Sequence, residues 1–348
     1  MTAKPILIWG AGAIGGTLGA YWARSGLPVL MVDIVAEHAK ACSTVGLNIT
    51  GPVEAFRQVV PCITPEEVTG QFDVIVLAVK AQATEAAVKQ LLPHLSSGGY
   101  VLSAQNGLNE IAISRVVGHE RTMGCFVNFG ADWLGPGEIL FGNRAAVVVG
   151  EIDGTVRDRT RQMHDWLKLF EPNSVLTDNI WGYLWGKLAY GAMLFATALT
   201  PDSMTANFED PRRYVVFDRL AREVMAVAAA RGVAPVGFNG FDPACFSTGA
   251  SEAGSRASIA ALAEFNRHTA KTHSGIYRDL AVRKRKTEVD PQIGVIADLG
   301  AEAGVHTPAI RHLVALIHGI EDGAEPMAFE TFRKLIATAE AANHAHPL

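Results

Sequence analysis

The chain has 348 residues, 49% hydrophobic and 19% charged, with a formal net charge of −5. That length supports two domains, or one large one, with real cores, and the mild acidic balance argues against nucleic acid or an anionic membrane surface as the main partner. The longest apolar stretch, Leu188 to Thr200, falls well short of the ~20 residues that cross a bilayer.

No cationic segment followed by a long apolar one opens the sequence, so a cytoplasmic protein without a membrane span is expected. Cys42, Cys62, Cys125 and Cys245 are scattered and form no CxxC pair. Neither a disulfide framework nor a metal site is expected, and a reducing compartment fits.

In chain order, "PILIW" (5–9), "PVLMVD" (28–33), "FDVIVLAV" (72–79) and "GYVLSA" (99–104) read as buried strands, short apolar runs bounded by Gly, Pro or Asp. A helix from Ile14 to Ser25, ended by Gly26, lies between the first two. This β-α-β order predicts a doubly wound α/β domain. From Thr122 to Gly150 the runs predict antiparallel strands around a turn at Gly135-Pro136-Gly137, and 173–179 a last strand. Beyond about residue 180 the pattern becomes helical: 181–200, 211–231, 255–273, 291–304 and 308–319. The boundary is placed at Asp178, giving domains 1–178 and 179–348. The Gly/Ser-rich stretch from Phe238 to Gly254 reads as a mobile loop, and the tail "AANHAHPL" as a frayed polar end.

"ILIWGAGAIGG" sets Gly10, Gly12 and Gly15 in a GxGxxG pattern directly after a strand and at a helix start. In that setting Gly10 allows a tight turn, Gly12 lets backbone approach a pyrophosphate, and Gly15 lets helix and strand pack closely. The helix start at Ala13 and Ile14 offers unpaired N–H groups to phosphates. Asp33, at the end of the second strand, can accept hydrogen bonds from both adenosine ribose hydroxyls and would repel a 2′-phosphate. With no Arg or Lys between Asp33 and Lys40, NAD is favoured over NADP. The alternative for Asp33 is a cap on the following helix.

Between Asp178 and Asp202 the only charge is Lys187. A lysine in apolar surroundings has its pKa pushed down, which suits it to donate a proton. Reduction of a ketone by a nicotinamide needs such a donor. The alternative is a lysine that snorkels or pairs structurally. Lys80 and Asn106 end the third and fourth strands, where the carboxyl ends of parallel strands face ligand. "KTHSGIYRDLAVRKRKTEVD" gathers Ser274, Asp279, four consecutive bases and Glu288. Glu288 could orient a lysine or hold a ribose hydroxyl, or simply lead the next helix. The basic run reads equally as a solvated loop and as an attractor of anions.

GxGxxG, "VK" at 79–80, "QNG" at 105–107, "WxK" at 185–187 and "TEVD" at 287–290, in this order over most of the chain, resemble the ketopantoate reductase family. The resemblance implies a Rossmann-type domain followed by a mostly α-helical one, with the active site in the cleft. It also implies reduction of 2-ketopantoate to pantoate, on the pathway to pantothenate and coenzyme A, usually with NADPH. It makes Lys187 the general acid. Lys80 and Asn106 would line the cofactor and substrate site, with Glu288 near the nicotinamide ribose and the lysine and Ser274 at the substrate carboxylate. Helical second domains of this kind often form homodimers, although no apolar stripe marks an interface.

The sequence departs from the family at three places. Where the family has asparagines one and two helical turns past the lysine, this chain has Gly191 and Phe195. Losing those amides makes the substrate pocket more apolar, at about 1–3 kcal/mol for each polar group left unpaired. The spacing from Asp279 to Glu288 is one residue longer than usual, and Ile34 stands where a basic residue commonly holds a 2′-phosphate. The family contains NAD-dependent dehydrogenases of branched or aromatic 2-hydroxy acids, such as D-mandelate dehydrogenase, and these departures keep that activity as an alternative. A catalytically inert dinucleotide-binding sensor is another. A β-hydroxyacid dehydrogenase ranks below both, because its glycine-rich substrate loop is not evident.

Overall fold

The computed structural model describes residues 4–238, 240–268 and 272–345. The chain divides into two compact units, Met1–Ile180 and Trp181–Leu348.

The first unit holds twelve strands: β1 Ile6–Trp9, β2 Val29–Val32, β3 Leu47–Thr50, β4 Phe56–Gln58, β5 Cys62–Ile63, β6 Phe72–Leu77, β7 Leu95–Ser103, β8 Thr122–Val127, β9 Gly130–Gly135, β10 Glu138–Asn143, β11 Val147–Glu151 and β12 Val175–Leu176. Its helices are α1 Ala13–Arg24, α2 Ala36–Thr44, α3 Thr84–Leu91, α4 Asn109–Val117 and α5 Asp158–Phe170. Eight strands form one sheet in the order β12-β11-β8-β7-β6-β1-β2-β5. All its pairs are parallel except β8 with β11.

The apolar runs follow from burial on both faces. Ile6 and Ile8 of β1 share a core with Leu18 and Trp22 of α1 and Leu167 and Phe170 of α5. Leu7 and Trp9, pointing the other way, share another with Val88 and Leu91 of α3 and Ile113 of α4. Each buried aliphatic side chain contributes about 1.5–3 kcal/mol, which holds the strand ends, and the loops that leave them, in fixed positions.

The group expected between Thr122 and Gly150 as one antiparallel set is divided between two sheets. β8 is buried at every residue and runs parallel to β7 inside the large sheet. β9 and β10 form the hairpin around Gly135–Gly137, in a second sheet of order β4-β3-β10-β9. The physical reason is coverage: β8 needs cover on both faces, whereas β9 is partly exposed along its length.

The second unit is helical among its described residues: α6 Ile180–Thr197, α7 Met204–Glu209, α8 Tyr214–Ala230, α9 Glu252–Arg267, the short α10 Gly275–Tyr277, α11 Val295–Glu302, α12 Pro308–Glu321 and α13 Phe329–Ala345. No helix among the described residues is long and apolar enough to cross a membrane.

Three expectations need correction. The helix expected at 255–273 is α9, which starts earlier because Ser251 caps it by accepting from Gly254 N at 3.1 Å. It ends at Arg267, and residues 269–271 lie outside the described part. The tail is not frayed through 341–345. It completes α13, with Ala342 buried against the unit, while 346–348 lie outside the described residues. The stretch from Phe238 to Gly254 is pinned rather than loose: Phe241 and Phe246 are buried, and Tyr190 of α6 packs on Phe238 and Phe241. Aromatic anchors outweigh the glycine content there. Asn239, within this stretch, lies outside the described residues.

Candidate active site

Parallel pairing of β7, β6, β1 and β2 puts the carboxyl ends of these four strands along one edge. Gly10–Gly15, Asp33, Lys80 and Asn106 all leave from that edge.

The three glycines of the loop have different physical causes. Gly10 has φ +105°, and a Cβ there would lie 2.9 Å from the backbone of Ala78 and Val79. A Cβ on Gly15 would lie 2.0 Å from the Gly10 carbonyl oxygen. Both are demanded by the fold itself. Gly12 is not: its φ of −66° suits any residue, and a Cβ there would meet nothing within 4 Å. Glycine at Gly12 matters only to something that approaches from outside. Ala13 and Ile14 open α1, whose cap residue offers no side-chain hydrogen bond, so the N–H groups of the first turn face that approach.

Asp33 does not cap α2. Val35 holds that position, without a side-chain bond. The Asp33 carboxylate instead accepts from Ala11 N and Val35 N, each at 3.0 Å. Each oxygen keeps a lone pair for a further donor. Ile34 beside it is 83% exposed. Lys80 is exposed and begins the turn before α3, and Asn106 is half-buried after β7.

One residue of this site escaped sequence reasoning. His38 is fully buried. Its Nε2 lies 2.8 Å from the Ala11 carbonyl, and its Nδ1 2.9 Å from Gly137 N. The carbonyl can only accept and the amide can only donate, so the proton sits on Nε2. The imidazole thereby ties the glycine loop to the β9–β10 hairpin. A lone histidine on α2 carries no sequence signal for that role.

In the second unit, α6 presents one half-open stripe. Tyr183, Lys187, Tyr190, Gly191 and Leu194 are partly exposed, while most of the remaining helix is buried. Lys187 is thus half-buried rather than enclosed. Gly191, one turn on, borders open space: a Cβ there would meet nothing within 4 Å. Phe195 lies off this stripe and is 1% exposed. Leu194 occupies the stripe one step before it, a residue the sequence did not single out. Gly186 is fixed by packing, since a Cβ would fall 2.3 Å from the Val236 carbonyl oxygen.

Ser274 is buried, and its Oγ accepts from Tyr277 N at 3.2 Å as the cap of α10. Glu288 is 9% exposed. The preceding Thr287 donates through N and Oγ1 to Glu321 Oε1, both at 2.7 Å. His318 bridges Glu321 and Asp290 at 3.0 and 2.9 Å, so the residues flanking Glu288 are anchored to α12. Of the basic run, Arg283 and Arg285 both bond Asp279 Oδ1, at 2.9 and 3.0 Å. Lys286 lies 3.9 Å from Asp322. This half of the run serves a local carboxylate.

A doubly wound sheet with a glycine-rich β1–α1 turn and a carboxylate at the end of β2 fits an NAD(P)-dependent oxidoreductase. Residues 6–154 match the family described as ketopantoate reductase PanE/ApbA, and residues 179–321 match its C-terminal domain. The chain belongs to the ketopantoate reductase family. It is 26% identical to a 2-dehydropantoate 2-reductase of Archaeoglobus fulgidus, over 93% of this chain and 100% of the relative. Among solved structures, it is similar to D-mandelate dehydrogenase with NADH and anilino(oxo)acetate at a TM-score of 0.78, with 24% identity over 92% of this chain and 99% of the other. It is also similar to a ketopantoate reductase from Ralstonia eutropha at 0.76, with 23% identity over 92% and 99%. These two likenesses carry the fold.

Proposed function

We propose that the protein reduces a 2-oxo acid with NADH, with ketopantoate as the family's substrate and Lys187 as the general acid. The observation that carries the reading is α6, where a single ammonium stands on a half-open face with no other charge. When bound, the nicotinamide supplies a hydride to the carbonyl carbon. Lys187 gives its proton to the carbonyl oxygen, leaving a hydroxyl, and regains a proton from water. Glu288, anchored on both sides, orients Lys187 or a ribose hydroxyl. Ser274 donates to the substrate carboxylate, since its hydroxyl proton is not used in accepting from Tyr277 N. In this reading residues 1–178 hold the nucleotide, through Gly10, Gly12, Ala13, Ile14, Gly15, Asp33, Lys80 and Asn106, and residues 179–348 supply the substrate groups.

Asp33 and Ile34 support NADH over NADPH. A carboxylate beside an exposed isoleucine offers acceptors to ribose hydroxyls and no cation to a 2′-phosphate. A hydrogen bond to a charged group is worth about 1.5–3 kcal/mol. Asp33→Ala is therefore expected to raise the Kd for NADH about tenfold to a hundredfold and that for NADPH far less, read by titrating nicotinamide fluorescence. An unchanged ratio of the two constants would remove Asp33 from cofactor choice.

A second reading, an apolar or aromatic 2-oxo acid as substrate, is favoured by the open space at Gly191. The absence of an amide there removes a donor for a substrate hydroxyl and leaves room for bulk. Absorbance of NADH and NADPH, followed with 2-oxo acids from ketopantoate to benzoylformate, decides between the readings. Ketopantoate turning over fastest supports the first, and a bulkier apolar acid the second. Cofactor binding without turnover of any of them would leave an inert sensor.

A further inference from the structure

Three polar side chains lie buried beneath the turns that carry Lys80 and Asn106. Gln105 is 4% exposed, Thr84 2% and Asn109 7%. Gln105 Nε2 donates to the Val79 carbonyl at 2.9 Å and to Thr84 Oγ1 at 2.8 Å. Thr84 Oγ1 donates to Asn109 Oδ1 at 2.9 Å. Asn109 Nδ2 donates to the Asn106 carbonyl at 2.7 Å.

Every proton in this chain has one allowed place. Both ends are backbone carbonyls, which only accept, so both amides must turn their NH2 groups outward. Asn109 Oδ1 is then an acceptor, and only the Thr84 hydroxyl can supply it. That hydroxyl in turn can only accept from Gln105. The network admits a single arrangement, and a single arrangement fixes distance. Apolar residues of similar shape would leave the Val79 and Asn106 carbonyls without these donors, so the polar set is what holds the two carbonyls in place.

One carbonyl belongs to Val79, which precedes Lys80 and whose backbone N would lie 2.9 Å from a Cβ on Gly10. The other belongs to Asn106 itself. Thr84 opens α3 and is tied through Gln105 to the turn after β7, while Asn109 opens α4 and joins Thr84 to the Asn106 carbonyl of that same turn. We propose that Thr84 and Asn109 are positioning residues: they lock the turn after β6, which touches the nucleotide loop, to the turn after β7, and so set the separation of Lys80 and Asn106. The kinetic part of this inference rests on the 2-oxo acid reductase reading, and the structural part stands without it.

Thr84→Val keeps the shape and removes the hydroxyl, which breaks both central bonds. Thr84→Ser keeps the hydroxyl. Asn109→Leu removes the far end and serves as a second variant should Thr84→Val fold poorly. Amide hydrogen exchange of residues 78–84 and 104–110, the Kd for NADH, and kcat and KM with the best oxo acid are measured for each, with melting temperature as the control. In Thr84→Val and Asn109→Leu, exchange is expected to quicken in both turns. kcat/KM should fall about tenfold to a hundredfold, the scale of a displacement of about 1 Å at a reacting centre. Thr84→Ser is expected to restore both readouts. Unchanged exchange in either turn of Thr84→Val overturns the lock, as does a loss that Thr84→Ser does not restore. Quickened exchange with unaltered NADH affinity and kinetics overturns the positioning role. A wild type that turns over no oxo acid counts against the reductase reading, and the lock is then judged by exchange and NADH affinity.

Discussion

Lys187→Ala is expected to lower kcat by about 10²- to 10⁴-fold, the range a positioned general acid contributes, while the Kd for NADH stays within about twofold because the nucleotide loop belongs to the other unit. The side chain stands on the half-open stripe of α6, and the melting temperature of the variant serves as the control for folding. Lys187→Arg should fail to restore turnover, because a guanidinium keeps its proton at any working pH. The measurement is steady-state reduction of the best oxo acid, paired with NADH fluorescence titration. Turnover of Lys187→Ala within tenfold of wild type would take the lysine out of the chemistry. Loss of NADH binding in step with turnover would instead make it a cofactor contact.

Gly12→Val is expected to abolish NADH binding, raising Kd at least about a hundredfold, in a protein that folds normally. The expectation rests on the contrast among the loop glycines. Gly10 and Gly15 cannot accept a side chain, because their own backbone neighbours lie 2.0 to 2.9 Å from a Cβ. At Gly12 a Cβ meets nothing within 4 Å and φ is ordinary. The free protein has no objection to it, and only a pyrophosphate drawn against the backbone does. Circular dichroism and melting should match wild type while nicotinamide fluorescence shows no saturation. A Gly12→Val protein that binds NADH with wild-type affinity would mean that the nucleotide does not lie on this loop.

Much of the first unit was legible because its signals are local. A buried parallel strand must be apolar throughout, a tight βα turn must be glycine, and a helix must end where Gly26, at φ +86°, turns the chain away. What sequence could not assign was partnership between strands distant along the chain. β8 and β9 are separated by two residues, yet they lie in different sheets, since pairing is chosen by the surface each strand has to cover. The same holds for the stretch from Phe238 to Gly254, where glycine and serine suggested freedom and two phenylalanines packed on Tyr190, with Phe246 stacked on Phe241, removed it.

The candidate site divides in the same way. Residue types alone marked Gly10–Gly15 as the candidate dinucleotide loop and Lys187 as isolated in apolar sequence, because a glycine-rich turn and a lone charge are properties of a few neighbouring residues. Tertiary structure alone decided that Gly10 and Gly15, but not Gly12, are demanded by contacts within the fold, that Asp33 braces Ala11 rather than capping α2, and that His38 ties the loop to the β9–β10 hairpin. It alone decided that Gln105, Thr84 and Asn109 join two turns. The braces of Asp33, His38 and Gln105 join residues 20 to 100 positions apart, and such distances close only when the sheet has fixed which strand ends lie side by side.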